Sequence, residues 1–178
     1  MYYLPLLPLM VQRAKVSVEV QRDVYEIVLA AQTAAIATVR PGIPFSAYHD
    51  AALRVLVQGM IDLTLVTGSI DAVIESEAYK PWYMHRTGHW LGLDVHDAGE
   101  YKEPQAGQEG EDWVRLSPGM ALTVEPGLYI RPGPNVPLHL HGIGIRIEDD
   151  VFVTDEGCTV FTTAPKSIAE IEEVMRHD

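Results

Sequence analysis

Apolar residues in "VQRDVYEIVLAAQTAAIATV" recur at three- and four-residue steps: Val24, Ile27, Val28, Ala31, Ala34 and Ala35 share one side. That period predicts an amphipathic helix, and Arg40-Pro41-Gly42 supplies its stop. A second broad apolar face, carrying Ala52, Leu53, Val55, Leu56, Met60 and Ile61, predicts a helix from about Ser46 to Val66. The stretch "SIDAVIESEA" predicts a shorter one. From Met84 onward the texture changes to β-like runs separated by Gly and Pro: "GMALTVEPGLYI", "GIGIRIEDDVFVT" and "CTVFTTA". Between them "HDAGEYKEPQAGQEGEDW" is polar and turn-rich and reads as a solvated loop. The tail "KSIAEIEEVMRH" returns to helical spacing at Ile168, Ile171 and Val174. Helices first and strands later predict an α+β fold, with helices over one face of a largely antiparallel sheet.

Length and composition narrow the reading. A chain of 178 residues with 47% hydrophobic content suits one domain with its own core. Twenty-five acidic residues against 13 basic ones give a formal net charge of −12, a field that repels phosphate. Nucleic acid and anionic membranes are therefore not expected as partners. Cys158 is the single cysteine, so no internal disulfide can form, and the expected compartment is the cytoplasm. The opening "MYYLPLLPLMV" is apolar, but Pro5 and Pro8 interrupt it and it is too short for a spanning helix.

Candidate chemistry begins at "HRTGHWLGLDVHD", residues 85–97, which holds three of the seven histidines. His85 and His89 are four apart, a spacing that puts both on one face of a helix or of an extended strand. Each could equally be a buried polar residue satisfied by nearby backbone. Two later stretches change the weighing. Glu125 is the one charge in the apolar run from Met120 to Ile130, and a buried carboxylate costs too much to leave unpaired. In "GIGIRIEDD", period-two alternation puts Ile143, Ile145 and Ile147 on one face, and Arg146 and Glu148 on the other. Three strand-like stretches that each carry a His or Glu into apolar surroundings point to a metal centre. Two carboxylates and one imidazole suit a hard divalent cation such as Mn²⁺.

"MHRTGHWLGLDVHD", "LTVEPGLYI" and "GIGIRIEDD" together resemble the signature stretches of aminopeptidase P, the Xaa-Pro aminopeptidase branch of the pita-bread metallopeptidases. The resemblance runs from about Gln21 to the C-terminus, and implies residues 21–178 as the catalytic-type domain and residues 1–20 as a divergent N-terminal segment. It implies a pita-bread fold and hydrolysis of the peptide bond before a penultimate proline by metal-activated water. Carried over by position, His89, Glu125 and Glu148 are implied as metal ligands, with Glu125 also the general base. His85 and His96 are implied as groups that stabilise the intermediate and move protons, and Arg146 as orienting the carboxylates. Tyr129 and Trp90 are candidates for a proline-accepting pocket, with core packing as the other role for Trp90. His139 and His141, in "LHLHG", fall where the family has a variable loop.

The chain also departs from the family. Two aspartate ligands belong on a hairpin upstream of the first helix, yet residues 1–22 contain no aspartate and a single acid, Glu19. The family's N-terminal domain has no counterpart here either, so the resemblance is to a truncated form. The expected cofactor is at most one divalent ion per chain, Mn²⁺ before Zn²⁺ or Co²⁺, and the expected activity is impaired. An inactive remnant that binds peptide or metal is the alternative. Expected partners are proline-containing peptides and a second copy of the chain in a homodimer.

Overall fold

The computed structural model describes residues 18–104 and 111–176. The expected divergent segment 1–20 lies outside them, save its last residues. Helix α1 (Val18–Thr38) buries Val24, Val28, Ala31 and Ala35, the predicted three- and four-residue steps. It stops before Pro41, whose ring disfavours helical backbone at Arg40. Helix α2 (Ala47–Asp62) packs antiparallel-hairpin fashion on α1 with Tyr48, Ala52, Leu56 and Met60 fully buried.

α2 ends four residues before Val66, the expected limit. Thr64 adopts a left-handed φ of 59°, and the Leu65 N–H reaches back to the Met60 carbonyl while Thr64 N–H bonds that of Ile61. This is the reversed capping pattern usually closed by glycine, here formed on a threonine that sequence reading does not mark as a stop. Helix α3 (Ile70–Glu75) follows, capped by the Ser69 hydroxyl accepting from Ala72 N–H.

The expected solvated loop contains a short hairpin instead. Strand β1 (Lys102–Pro104) pairs antiparallel with β2 (Glu111–Trp113). β1 is exposed throughout, so it shows no apolar alternation. What anchors the hairpin is Trp113, flanked by the Arg86 guanidinium 4.4 Å and the Lys102 ammonium 5.2 Å from its ring centroid.

The remaining strands are β3 (Ala121–Val124), β4 (Gly127–Ile130), β5 (Ile143–Arg146), β6 (Asp149–Val153) and β7 (Cys158–Val160). All described pairings are antiparallel: β3 with β6, β6 with β7, and β4 with β5. The apolar run 120–130 is thus two strands, broken at Glu125-Pro126, because proline has no N–H to give a ladder. Its partner run breaks at Ile147-Glu148. Yet the register passes through the gap unchanged, since Val124 faces Asp149 and Gly127 faces Arg146. Glu125 therefore falls opposite Glu148.

"LHLHG" forms a turn of 3-10 helix at Leu138–Leu140 in the β4–β5 connection. Helix α4 (Ile168–Val174) begins with a reciprocal cap between Ser167 and Glu170. It is fastened to α1 by the Arg22–Glu172 ion pair and by the Tyr25 hydroxyl donating to the Lys166 carbonyl at 2.7 Å. Lys166 also pairs with the buried Asp149.

Candidate metal centre

Residues 87–91 run antiparallel beside β3. Leu91 N–H bonds the Ala121 carbonyl at 3.1 Å, Thr123 N–H that of His89 at 3.0 Å, and Glu125 N–H that of Thr87 at 2.6 Å. β3 therefore has a neighbour on each side, and side chains on one face of this lattice fall into rows. His89, Thr123 and Asp150 make one row; Thr87, Glu125 and Glu148 make the next. Further along lie Arg146, paired with Gly127, and His85.

Gly88 lets the two chains come this close. A Cβ there would sit 1.9 Å from the Thr123 carbonyl oxygen and 2.9 Å from the Tyr48 hydroxyl. Gly127 leaves the space that the Tyr129 hydroxyl fills, 2.6 Å from where its Cβ would be.

Ligating atoms of His89, Glu125 and Glu148 all lie within 4.8 Å of one another. The His89 Nδ1 faces the Trp90 carbonyl at 2.8 Å, so Nδ1 carries the proton and donates it. With Nδ1 committed there, His89 Nε2 faces Glu125 Oε1, 3.2 Å away. A ring nitrogen and a carboxylate oxygen at that distance share a proton or a cation. The Thr123 hydroxyl donates to the same Glu125 oxygen at 3.1 Å, and accepts the His89 N–H at 3.1 Å. Glu125 Oε2 faces the Arg146 guanidinium at 3.2 Å.

Glu148 has its carboxyl pushed above the usual range, first by burial, then by the negative charges of Glu125 and Asp150. Asp150 is raised too, by burial and then by Asp149. Carboxylates directly opposite each other in a ladder repel, and this pocket holds more negative charge than its own side chains neutralise.

Arg146 connects to a second group of side chains. Its Nε–H donates to the Tyr129 hydroxyl at 2.7 Å, and the Tyr129 hydroxyl lies 2.8 Å from His85 Nε2. His85 Nδ1 sits 2.7 Å from the Arg86 carbonyl, which can only accept, so Nδ1 carries the proton and Tyr129 donates to Nε2. Burial first, and the Arg146 charge with it, lower the His85 pKa and keep the ring neutral. His96 stands edge-on to His89 with ring centroids 4.1 Å apart, exposed to solvent.

Trp90, read as a pocket wall or a packing residue, is found packing. It is 9% exposed and tilts against Phe45 at 4.5 Å and stacks on Tyr101 at 5.9 Å. Strand alternation sends it to the face opposite His89. His141 bonds the Val136 carbonyl at 3.0 Å within its own turn.

Sequence reading missed Thr123 and His49. Thr123 shares the Glu125 face two residues earlier, a signal that was present in the period-two pattern. His49 was hidden inside an apolar helix face, where its Nδ1 lies 2.9 Å from the Thr87 hydroxyl.

The profile of metallopeptidase family M24 matches residues 10–155. A Xaa-Pro aminopeptidase of Haemophilus influenzae is 46% identical over 157 residues, covering 87% of this chain and 35% of that protein. The Xaa-Pro aminopeptidase of Escherichia coli is 42% identical over 159 residues, covering 88% and 34%. Among solved structures, aminopeptidase PepP of Pseudomonas aeruginosa superposes with a TM-score of 0.81 at 49% identity, over 89% of this chain and 35% of that one. The chain thus spans about a third of the length of the curated relatives it matches.

Proposed function

This chain belongs to metallopeptidase family M24 and has its α+β pita-bread fold, and from that premise we propose that it is a Xaa-Pro aminopeptidase-type domain of reduced activity. The observation that carries the reading is the meeting of His89, Glu125 and Glu148 within 4.8 Å. Their donor set fits a divalent cation: one imidazole and two opposed carboxylates supply one nitrogen and two carboxylate ligands, with the Arg146 guanidinium engaging the other Glu125 oxygen. In this reading those three residues hold one ion, Mn²⁺ before Zn²⁺ or Co²⁺, because carboxylate oxygens favour the harder metal. When bound, the cation supplies Lewis acidity toward a peptide carbonyl and lowers the pKa of water.

The chain's own residues do the rest. Glu125 takes the proton of the attacking water and passes it to the departing amine, a transfer worth roughly 10²–10⁴-fold in rate. Thr123 and Arg146 each engage one Glu125 oxygen, which fixes the plane of the carboxylate toward His89. His85, with its Nε2 filled by Tyr129, steadies the Tyr129–Arg146 pair. His96 is the imidazole open to substrate, placed to meet charge that develops on the carbonyl oxygen. In this reading Tyr129, beside Arg146 and His85, borders the place of a proline ring; the Escherichia coli aminopeptidase P has been solved with the inhibitor Pro-Leu. The proposal extends to proline-containing peptides as substrates and to a homodimer in the cytoplasm.

A second reading, a module that binds peptide or metal without turnover, is favoured by the ligand count. Among the described residues this is the one group of three or more ligating side chains, and residues 1–22 offer no aspartate. One experiment separates the two: purified protein is given an Xaa-Pro peptide with and without Mn²⁺. Release of the first residue that needs Mn²⁺ and falls about 100-fold in Glu125→Gln supports the enzyme. Mn²⁺ binding without release supports the module, and activity indifferent to Glu125→Gln does not come from this site.

A further inference from the structure

His49 lies on α2, outside the candidate ligand set, and is 8% exposed. Its Nδ1 accepts the Thr87 backbone N–H at 3.2 Å, so that nitrogen carries no proton. The Thr87 hydroxyl, 2.9 Å from the same Nδ1, is then the donor there. With its own proton committed, that hydroxyl accepts from Tyr83, whose Oη is 2.7 Å away. The order is forced: Tyr83 donates to Thr87, and Thr87 donates to His49. A neutral imidazole with its proton on Nε2 is the one form that keeps both bonds to Thr87. Tyr83 stacks on the His49 ring at 5.8 Å and meets His85 edge-on at 5.0 Å.

The residue gripped in this way is Thr87, fully buried, midway between His85 and His89. Its carbonyl accepts the Glu125 N–H. We propose that His49 is a positioning residue: it ties α2 to residues 85–89 and thereby keeps Glu125 and His89 aimed at one point. Its consequence for cation binding rests on the metal reading above; the alignment of the two chains does not.

The test uses ¹⁵N-labelled protein and two substitutions. His49→Asn places an amide oxygen near the Nδ1 position, while His49→Leu offers no acceptor. Long-range ¹H–¹⁵N correlation of the wild type at pH 7 should show His49 neutral and protonated on Nε2. In His49→Leu, folded by circular dichroism, the Glu125 amide should exchange with solvent about 10-fold faster and Co²⁺ should bind roughly 10-fold more weakly, with His49→Asn recovering most of both. Should His49→Leu not fold, Thr87→Val, which removes the hydroxyl link and keeps the backbone N–H, should shift both readouts in the same direction. A proton on Nδ1 at pH 7, or a folded His49→Leu whose Glu125 exchange and Co²⁺ affinity match the wild type, overturns the proposal. Wild-type protein that binds no Co²⁺ sinks the metal reading alone, and the exchange measurement still decides this one.

Discussion

A histidine that folds neutral ties stability to pH, and His49 is the clearest case in this molecule. Burial first, then the charge of Arg86 and the neighbouring His85 imidazole, which repels a second proton as the pH falls, lower its pKa from 6.5 to about 4. The unfolded chain therefore binds the proton more readily than the folded one between those values. The contribution is fully present above pH 6.5 and is lost as pH falls toward 4, up to roughly 3 kcal/mol. Urea unfolding at pH 7, 6, 5 and 4 should show the stability difference between wild type and His49→Asn shrinking across that window; a difference flat with pH would refute it. His49 also marks how far single residues can be read from a sequence. Glu125 was visible because a lone charge in an apolar strand demands a partner, and Glu148 because alternation sets it with Arg146 opposite the face of Ile143, Ile145 and Ile147. His49 was not, because the α2 pattern is defined by apolar positions and its partner Thr87 lies 38 residues away.

Elements carry a different kind of constraint, the closeness of two backbones. Residues 87–91 can lie beside β3 only because Gly88 has no side chain. Its missing Cβ would meet the Thr123 carbonyl, which cannot swing aside as the end of a flexible side chain could. Gly88→Ala should therefore pry the two chains apart, lowering stability by about 3 kcal/mol and weakening Mn²⁺ binding with it. Thermal unfolding and cation titration of the same preparation check both; a substitution that changes neither means the chains do not meet there. At this scale the helices were legible from their three- and four-residue steps, and the buried face of β5, with Ile143 and Ile145, from alternation. The β1–β2 hairpin was not, since β1 is exposed throughout and the hairpin is anchored by Trp113, which packs on the core with Arg86 and Lys102 against its ring, rather than by an alternating apolar face. Nor was the end of α2, where threonine stands in the left-handed position that glycine usually announces.

For the whole molecule the governing quantity is charge. A chain of net −12 that sets two glutamates opposite each other gains from any cation that enters. Calorimetric titration with excess Mn²⁺ should give at most one ion per chain, and saturation should raise the unfolding midpoint because only the folded state assembles the three ligands. Two well-occupied ions per chain would sink the count. The unbroken register between the two halves of the long hairpin has one more consequence, which concerns length. Strand side chains alternate faces, so deleting or inserting a single residue within Gly127–Ile130 or Ile143–Arg146 would slip the pairing and turn one glutamate away from its mate. Compensating changes in both arms preserve the match. The connection at 131–142 escapes this rule entirely, so this tip is where natural variation in chain length can accumulate without disturbing the centre.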